Sequence, residues 1–382
     1  MIYLDYNATT PLDPRVLEAM LPFFRDRFGN AASRQHGPGR DAAAAVDAAR
    51  GQAAAVIGAL PDEIVWTSGA TESVNLALQG VAASPAYKTR AKHLVTVATE
   101  HRAVLDCCEH LEARGFKITR LGVDRHGMID VERLAGAVTD QTLLVSVMHA
   151  NNETGVLQPL QQIGELCRSR GALFHTDATQ SFGKEPIDVN PMSIDLLSAS
   201  AHKFCGPKGA GILYVRKRNP RVRCEPILHG GGHERGLRSG TLNVPAIVGF
   251  GAAADLCRKE RDAEQPRFRS LRERLEKGLL SALDGVEING HSGQRLAHTT
   301  NMSFPGIDGE ALMKSLPEIA VSSSSACTSA AMQPSYVLGA LGLDDARIKG
   351  SIRFSLGRFS TEVEIDRAIA EIVNAVKGLR TL

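Results

Sequence analysis

The stretch "SASAHKFCGPKG" sets Lys203 just past a predicted strand, with Ser200 and His202 before it and a Gly-Pro-Lys-Gly turn after it. A lysine there does not lie on a solvated helix face. It reads either as part of a surface turn or as an amine that attacks a carbonyl to form a Schiff base, which needs a sheltered site where the ammonium can lose its proton. Asp177 ends "ALFHTDA", one predicted strand earlier, and neighbouring strands would present both side chains at the same sheet edge. An acid at that edge can keep a pyridine nitrogen protonated, as pyridoxal phosphate requires to act as an electron sink. The same aspartate would also serve as a plain turn or N-cap residue.

A pyridoxal phosphate site also needs a phosphate cradle. "TSGATES" (67–73) offers a strand, a turn of small residues and a helix start, so backbone N–H groups at Ala70 and Thr71 could receive a dianion. Ser200 and His202 would add donors from the other side, although Thr71 and Glu72 also suit simple capping. In "TEHRAV", His101 follows a strand, where an imidazole could stack on a ring and move protons near neutral pH. In "ANNETG", Asn152 could bond the ring hydroxyl or a substrate carboxylate, and Gln180 of "DATQS" lies one turn beyond Asp177. A lone His or Asn is usually structural, but five polar strand ends on one edge form a pattern.

The serine run "VSSSSACTSA" (321–330) reads as a flexible linker or as a loop carrying the reactive thiol of Cys327. A free thiol has a pKa near ~8.5, so a nearby cation or imidazole must raise the thiolate fraction if it is to attack. Cys205 is a rival, but two residues past Lys203 it is anchored by the turn. Cys107, Cys108, Cys167, Cys224 and Cys257 mostly fall in helical patterns and read as core or partly exposed thiols.

Short β-branched runs alternate with helical patterns from about 64 to 216, which implies a mainly parallel sheet with crossover helices. Residues 266–382 carry an α+β pattern of their own. The division expected is a large domain over 15–257 and a small domain of 1–14 and 258–382 that bears the Cys327 loop. The formal net charge is +2, from 44 basic and 42 acidic residues spread along the chain, which argues against a nucleic-acid or membrane-surface protein. The basic run Arg216, Lys217, Arg218, Arg221 and Arg223 is expected to be a solvated turn. No secretory signal opens the sequence, the longest mostly apolar run is 14 residues, and seven cysteines without CxxC spacing suit a reducing compartment, so a cytoplasmic protein is expected.

The ordered set "YLDYNATTP", "GATES", "EHRAVLD", "NNETG", "HTDATQ", "SAHKFCGPKG", "HGGGHERGLRSGT", "SSACTS" and "SIRFSLGR" resembles the group I cysteine desulfurases of the NifS/IscS type, from residue 2 to about 380. The resemblance implies a fold-type I, class V aminotransferase-like homodimer. It would take sulfur from L-cysteine, release L-alanine and leave a persulfide on Cys327 for a sulfur acceptor such as an iron–sulfur scaffold protein. It further implies that Lys203 carries pyridoxal phosphate, Asp177 pairs with its ring nitrogen and His101 stacks and transfers protons. Asn152 and Gln180 would bond ring substituents, and Ala70, Thr71, Ser200 and His202 the phosphate, with Thr241 reaching the partner subunit's phosphate. Arg353 would bind the substrate carboxylate. No resident metal is implied, although Cys327 could ligate an iron–sulfur cluster transiently.

Two departures stand out: Ala31 where the family has proline in "FGNPAS", and Ser324 where it has glycine before the reactive cysteine. The short stretch after the final helix also leaves scaffold docking without an expected tail. A selenocysteine lyase or aminotransferase would share this site without needing Cys327, and a non-enzymatic binding protein would be expected to lack Lys203. A metal site at His229 and His233 lacks clustered acidic or thiolate ligands.

Overall fold

The computed structural model describes residues 1–89, 92–323 and 334–381. After a short strand β1 (Ile2–Tyr3), seven strands form one sheet: β2 (Ile64–Thr67), β3 (His93–Val97), β4 (Lys117–Leu121), β5 (Thr142–Ser146), β6 (Leu173–Asp177), β7 (Leu196–Ser200) and β8 (Gly211–Val215). Their spatial order is β2-β8-β7-β6-β5-β3-β4. Only β8 opposes its neighbours, so the other six strands point their carboxyl ends to one edge. The inner strands are buried along their whole length, which is why they read as continuous apolar runs rather than alternating ones. Helices Ala70–Ala83, Arg102–Ala113 and Leu160–Arg170 make the crossovers. This is the mainly parallel α/β architecture that the sequence pattern implies.

The second sheet is antiparallel. It contains β9 (Glu287–Asn289), β10 (Thr299–Ser303), β12 (Ser322–Ser323) and β13 (Ser351–Ser355) in the order β12-β13-β10-β9, while β11 (Ile319–Ala320) pairs with β1. The opening residues Ile2 and Leu4 thereby join the core made by Leu271, Leu275, Phe304, Phe354 and Ile365. A separate core beneath the large sheet is built from Trp66, Phe174, Phe182, Phe204 and Phe250.

One helix joins the two cores. The stretches 245–260 and 267–283 read as separate helices in the sequence, yet they form a single helix, Val244–Ala282, with Pro266 inside it. An interior proline removes one backbone hydrogen bond and normally breaks a helix. Here apolar faces on both sides of it are buried: Phe250, Ala253 and Cys257 in the first core, Leu271, Leu275 and Leu279 in the second. Position 257 therefore lies within a continuous element. Arg216 corrects another expectation: it is buried rather than solvated, ion-paired to Asp195 and donating to the carbonyls of Val189 and Ile194.

At the carboxyl edge, the turn after β2 lies directly on the start of β8. A Cβ on Gly211 would stand 2.5 Å from the Gly69 Cα, so no side chain fits there without moving backbone. Gly211→Ala should cost about 1–3 kcal/mol in denaturant unfolding. Gly51→Ala, in the helix Gly37–Val56 with open space at its Cβ, should be neutral or stabilising by up to about 1 kcal/mol.

Candidate active site

Because β2, β3, β5, β6 and β7 end together, the polar residues that follow them converge on one cavity of ≈ 850 Å³. Ala70, Thr71, His101, Asn152, Asp177, Gln180, Ser200, His202, Lys203 and Arg353 all line it. Thr241 does not; it is exposed on its own chain. Cys327 and Ser324 lie outside the described residues.

The turn that carries Lys203 is fixed from behind. Phe204 packs with Phe182 and Phe250, each with ring centroids 5.1 Å away, and so pins the backbone next to the lysine. Cys205 adopts a left-handed conformation, φ 64°, which a non-glycine residue enters only where the surroundings hold it. The hold comes from the N-terminal segment: the Cys205 N–H donates to Thr10 Oγ1 at 2.8 Å and Asp13 N–H donates to the Cys205 carbonyl at 3.0 Å. The Lys203 Nζ then donates to the carbonyls of Asn7 at 2.6 Å and Ala8 at 2.8 Å.

Segment 5–10 is thus a wall of the site, which sequence reasoning gave no role. Asn7 is buried; its Nδ2 donates to the Asn152 carbonyl and its own carbonyl also accepts from Gln180 Nε2. The available signal was a largely polar run, "DYNATT", directly after apolar residues with no turn glycine. Asp5 is the second omission. Arg353, buried, donates to Asp5 Oδ1 at 2.6 Å, to Ser322 Oγ and to the Asn152 carbonyl. The guanidinium therefore meets the cavity already balanced by one carboxylate, and Ser322 of β12 ties Asp5 as well.

Phosphate donors are present at the mouth. The first backbone N–H groups of the helix Ala70–Ala83 have no side-chain cap among the described residues, and Glu72, at the cavity wall, accepts from Ser68 and is paired with Arg238. Ser200 Oγ lies beneath this turn, 3.7 Å from where a Gly69 Cβ would be. The His202 ring contacts Thr9 Oγ1 through Nδ1; burial, with Lys203 and Lys208 nearby, pushes its pKa down to about 4.

Deeper in the cavity, Asp177 is buried at the end of β6 and its Oδ1 accepts the Thr179 N–H. Asn152 Oδ1, Gln180 Oε1 and Thr179 Oγ1 are buried without a hydrogen-bond partner among the described residues. Orphaned polar atoms are costly unless a ligand meets them. One acid flanked by such atoms, a lysine and a helix N-terminus matches the polar inventory of pyridoxal phosphate.

The six described cysteines are poor nucleophiles. Cys107, Cys108, Cys167, Cys205 and Cys257 are buried and Cys224 is half-buried. Burial raises every one of their pKa values, to about 11 for Cys107 and about 12 for Cys108, Cys167, Cys224 and Cys257. Among the described residues, no group of three or more His, Cys, Asp or Glu could hold a metal, and His233 Nδ1 merely accepts the Gly240 N–H.

This fold and site define a class, and residues 2–368 match the family model described as aminotransferase class-V. The chain belongs to that family and is a pyridoxal-phosphate-dependent enzyme of fold type I. Within the family its relatives are more particular. It is 56% identical over 381 residues to the cysteine desulfurase IscS of Anaeromyxobacter dehalogenans (strain 2CP-C), covering all of this chain and 94% of the relative. It is 53% identical to the protein of the same name from Pectobacterium carotovorum subsp. carotovorum (strain PC1), with the same coverage. Among solved structures, a NifS-like protein superposes with a TM-score of 0.91 at 39% identity, over 99% of both chains. A protein called SspA, in complex with cysteine, gives 0.81 at 36% identity, over 94% of this chain and all of that one.

Burial and the nearby lysines favour the neutral form of His202, whose ring can still offer a hydrogen bond to a ligand in the cavity. His202→Leu should weaken pyridoxal phosphate binding about tenfold to a hundredfold. The loss is measured by fluorescence titration of the apoprotein at neutral pH.

Proposed function

We propose that this chain is a cysteine desulfurase that converts L-cysteine to L-alanine and places the sulfur on Cys327 as a persulfide. The observation that carries this reading is Lys203 held in one cavity with Asp177, the orphaned acceptors of Asn152 and Gln180, and Arg353. When bound, pyridoxal phosphate supplies an electron sink that stabilises negative charge on the substrate carbon skeleton and so makes the Cβ–S bond labile.

The chain's own residues do the rest. Lys203 provides the covalent attachment. Asp177 holds the proton of the ring nitrogen, while Asn152 and Gln180 meet the ring substituents. The N–H groups of Ala70 and Thr71, with Ser200 and His202, receive the phosphate, and Thr241, exposed on its own chain, serves the partner subunit in a homodimer. His101 caps the helix Arg102–Ala113 by accepting the Ala103 N–H at Nδ1, which leaves Nε2 to exchange protons. Arg353 binds the substrate carboxylate through donors beyond those held by Asp5.

The Cys327 thiolate attacks the substrate sulfur: the S–S bond forms, the Cβ–S bond breaks, and Cβ takes a proton to give alanine. The high pKa values of the six described thiols support an acceptor elsewhere, at Cys327. The sulfur then passes to an acceptor protein such as an iron–sulfur scaffold. We assign the two domains to 15–257 and to 1–14 with 258–382, supported by the two separate cores. No helix of the described residues is long and apolar enough to cross a membrane, and a cytoplasmic location is proposed.

Lys203→Ala should abolish the visible absorbance of the bound cofactor. Cys327→Ser should keep that absorbance and its response to added cysteine, yet yield neither alanine nor sulfide in a coupled assay. Retained turnover in Cys327→Ser would remove this residue from the mechanism.

A further inference from the structure

A second, smaller cavity of ≈ 40 Å³ also reaches Lys203 and is bordered by Tyr6, Lys184, His298 and Arg358. Lys184 is half-buried there, and its Nζ lies 3.3 Å from His298 Nε2. That nitrogen is also 3.2 Å from Asn7 Oδ1. His298 is 2% exposed and its Nδ1 has no partner among the described residues. From Asn7 the contacts continue, since its carbonyl accepts the Lys203 Nζ at 2.6 Å.

The two contacts at Nε2 compete. A Lys184 ammonium can only donate, and an amide oxygen can only accept. The Asn7 amide cannot simply flip, because its Nδ2 is committed to the Asn152 carbonyl and to Thr299 Oγ1. If Nε2 carries a proton it donates to Asn7, and Lys184 must be a neutral amine; if it does not, it accepts from Lys184 and releases Asn7. Burial pushes the Lys184 pKa down to about 8 and holds the His298 pKa well below its ordinary value, so both states lie within reach of neutral pH. Attachment of a cofactor to Lys203 leaves at most one proton on its nitrogen, so at least one carbonyl bond must be given up. The Asn7 carbonyl can release Lys203 and still accept from Gln180.

We propose that Lys184 and His298 are positioning residues, a pair whose shared proton sets the Asn7 segment and, through the Asn7 carbonyl, the place and proton occupancy of the Lys203 nitrogen. This rests on the reading of Lys203 as the cofactor lysine. Other charges face the pair: Cys205, Cys257, Glu185 and Glu264 around Lys184, with Arg261 and Arg358 at the cavity wall, and Arg272 beside His298. On its open side Lys203 shares the large cavity with the acids Asp5, Glu72 and Asp177. His101, His202, Lys208 and Arg353 are the bases there.

The test is a pH titration of the visible absorbance of the full chain loaded with pyridoxal phosphate. Lys184→Met should raise the midpoint by about half a pH unit or more, because a nearby cation that disfavours positive charge on the Lys203 nitrogen is gone. His298→Gln keeps a donor for Asn7 but cannot share a proton; it should move the midpoint by itself and shrink the effect of Lys184→Met to within about 0.2 unit in the double variant. An equal Lys184→Met shift in both backgrounds, or an unmoved midpoint with only a lowered melting temperature, would overturn the proposal. If Lys184→Met does not fold, an unmoved midpoint in His298→Gln alone does the same. A band that survives Lys203→Ala would instead overturn the cofactor reading on which the proposal stands.

Discussion

The contact on which the rest depends is the one between segment 5–10 and the Lys203 turn. Two carbonyls, of Asn7 and Ala8, hold the Nζ, and Thr10 and Asp13 hold the backbone of Cys205 two residues further on. Without that clamp, a left-handed cysteine beside a lysine would relax, since the conformation costs free energy that only surrounding bonds offset. The same segment is stitched to the second sheet by the Asp5–Ser355 bridge and to the Arg353 guanidinium by Asp5. A single extended stretch therefore links the large sheet, beside which Lys203 stands, to the small sheet that carries Arg353.

That arrangement explains a distribution of charge that would otherwise look wasteful. Arg353 is buried and paired with Asp5, and a buried cation without a partner would be expensive. Pairing holds the guanidinium in place at the cavity wall. Arg358 is treated alike, held by Asp13 and Glu264, while Asp13 also takes Arg15. The Asp13 carboxyl is held well below the usual carboxylate range, chiefly by its hydrogen bonds to Arg15, with Arg358 adding to the effect. Its stabilising contribution is present above the ordinary carboxylate range and is lost progressively as pH falls below that range.

Chemistry and packing are separated within the same few residues. Phe204 and the aromatic group around it supply a rigid, dry floor, whereas Lys203, His202 and Ser200 face the cavity. Six thiols are set into apolar surroundings that keep them protonated, which removes competitors for sulfur near an electron-sink cofactor.

Much of this was legible in the sequence because strands of a parallel sheet must end at a common edge, so "GATES", "EHRAV", "NNETG", "DATQ" and "SAHK" could be brought together from local pattern alone. Residue types then named the chemistry, since lysine, aspartate and a helix start form a set that few cofactors need. Three features were decided only by tertiary contact. The wall made by Asn7 depends on pairing between residues nearly two hundred positions apart, which no local period records. The unbroken helix through Pro266 exists because two cores bury its two halves, overriding proline's local preference. Arg216 is buried because Asp195 and two carbonyls await it, and charge counted along a chain cannot show which guanidinium will find such partners. Sequence fixes which groups are available and on which element they ride; long-range packing chooses their partners, and with them their protons.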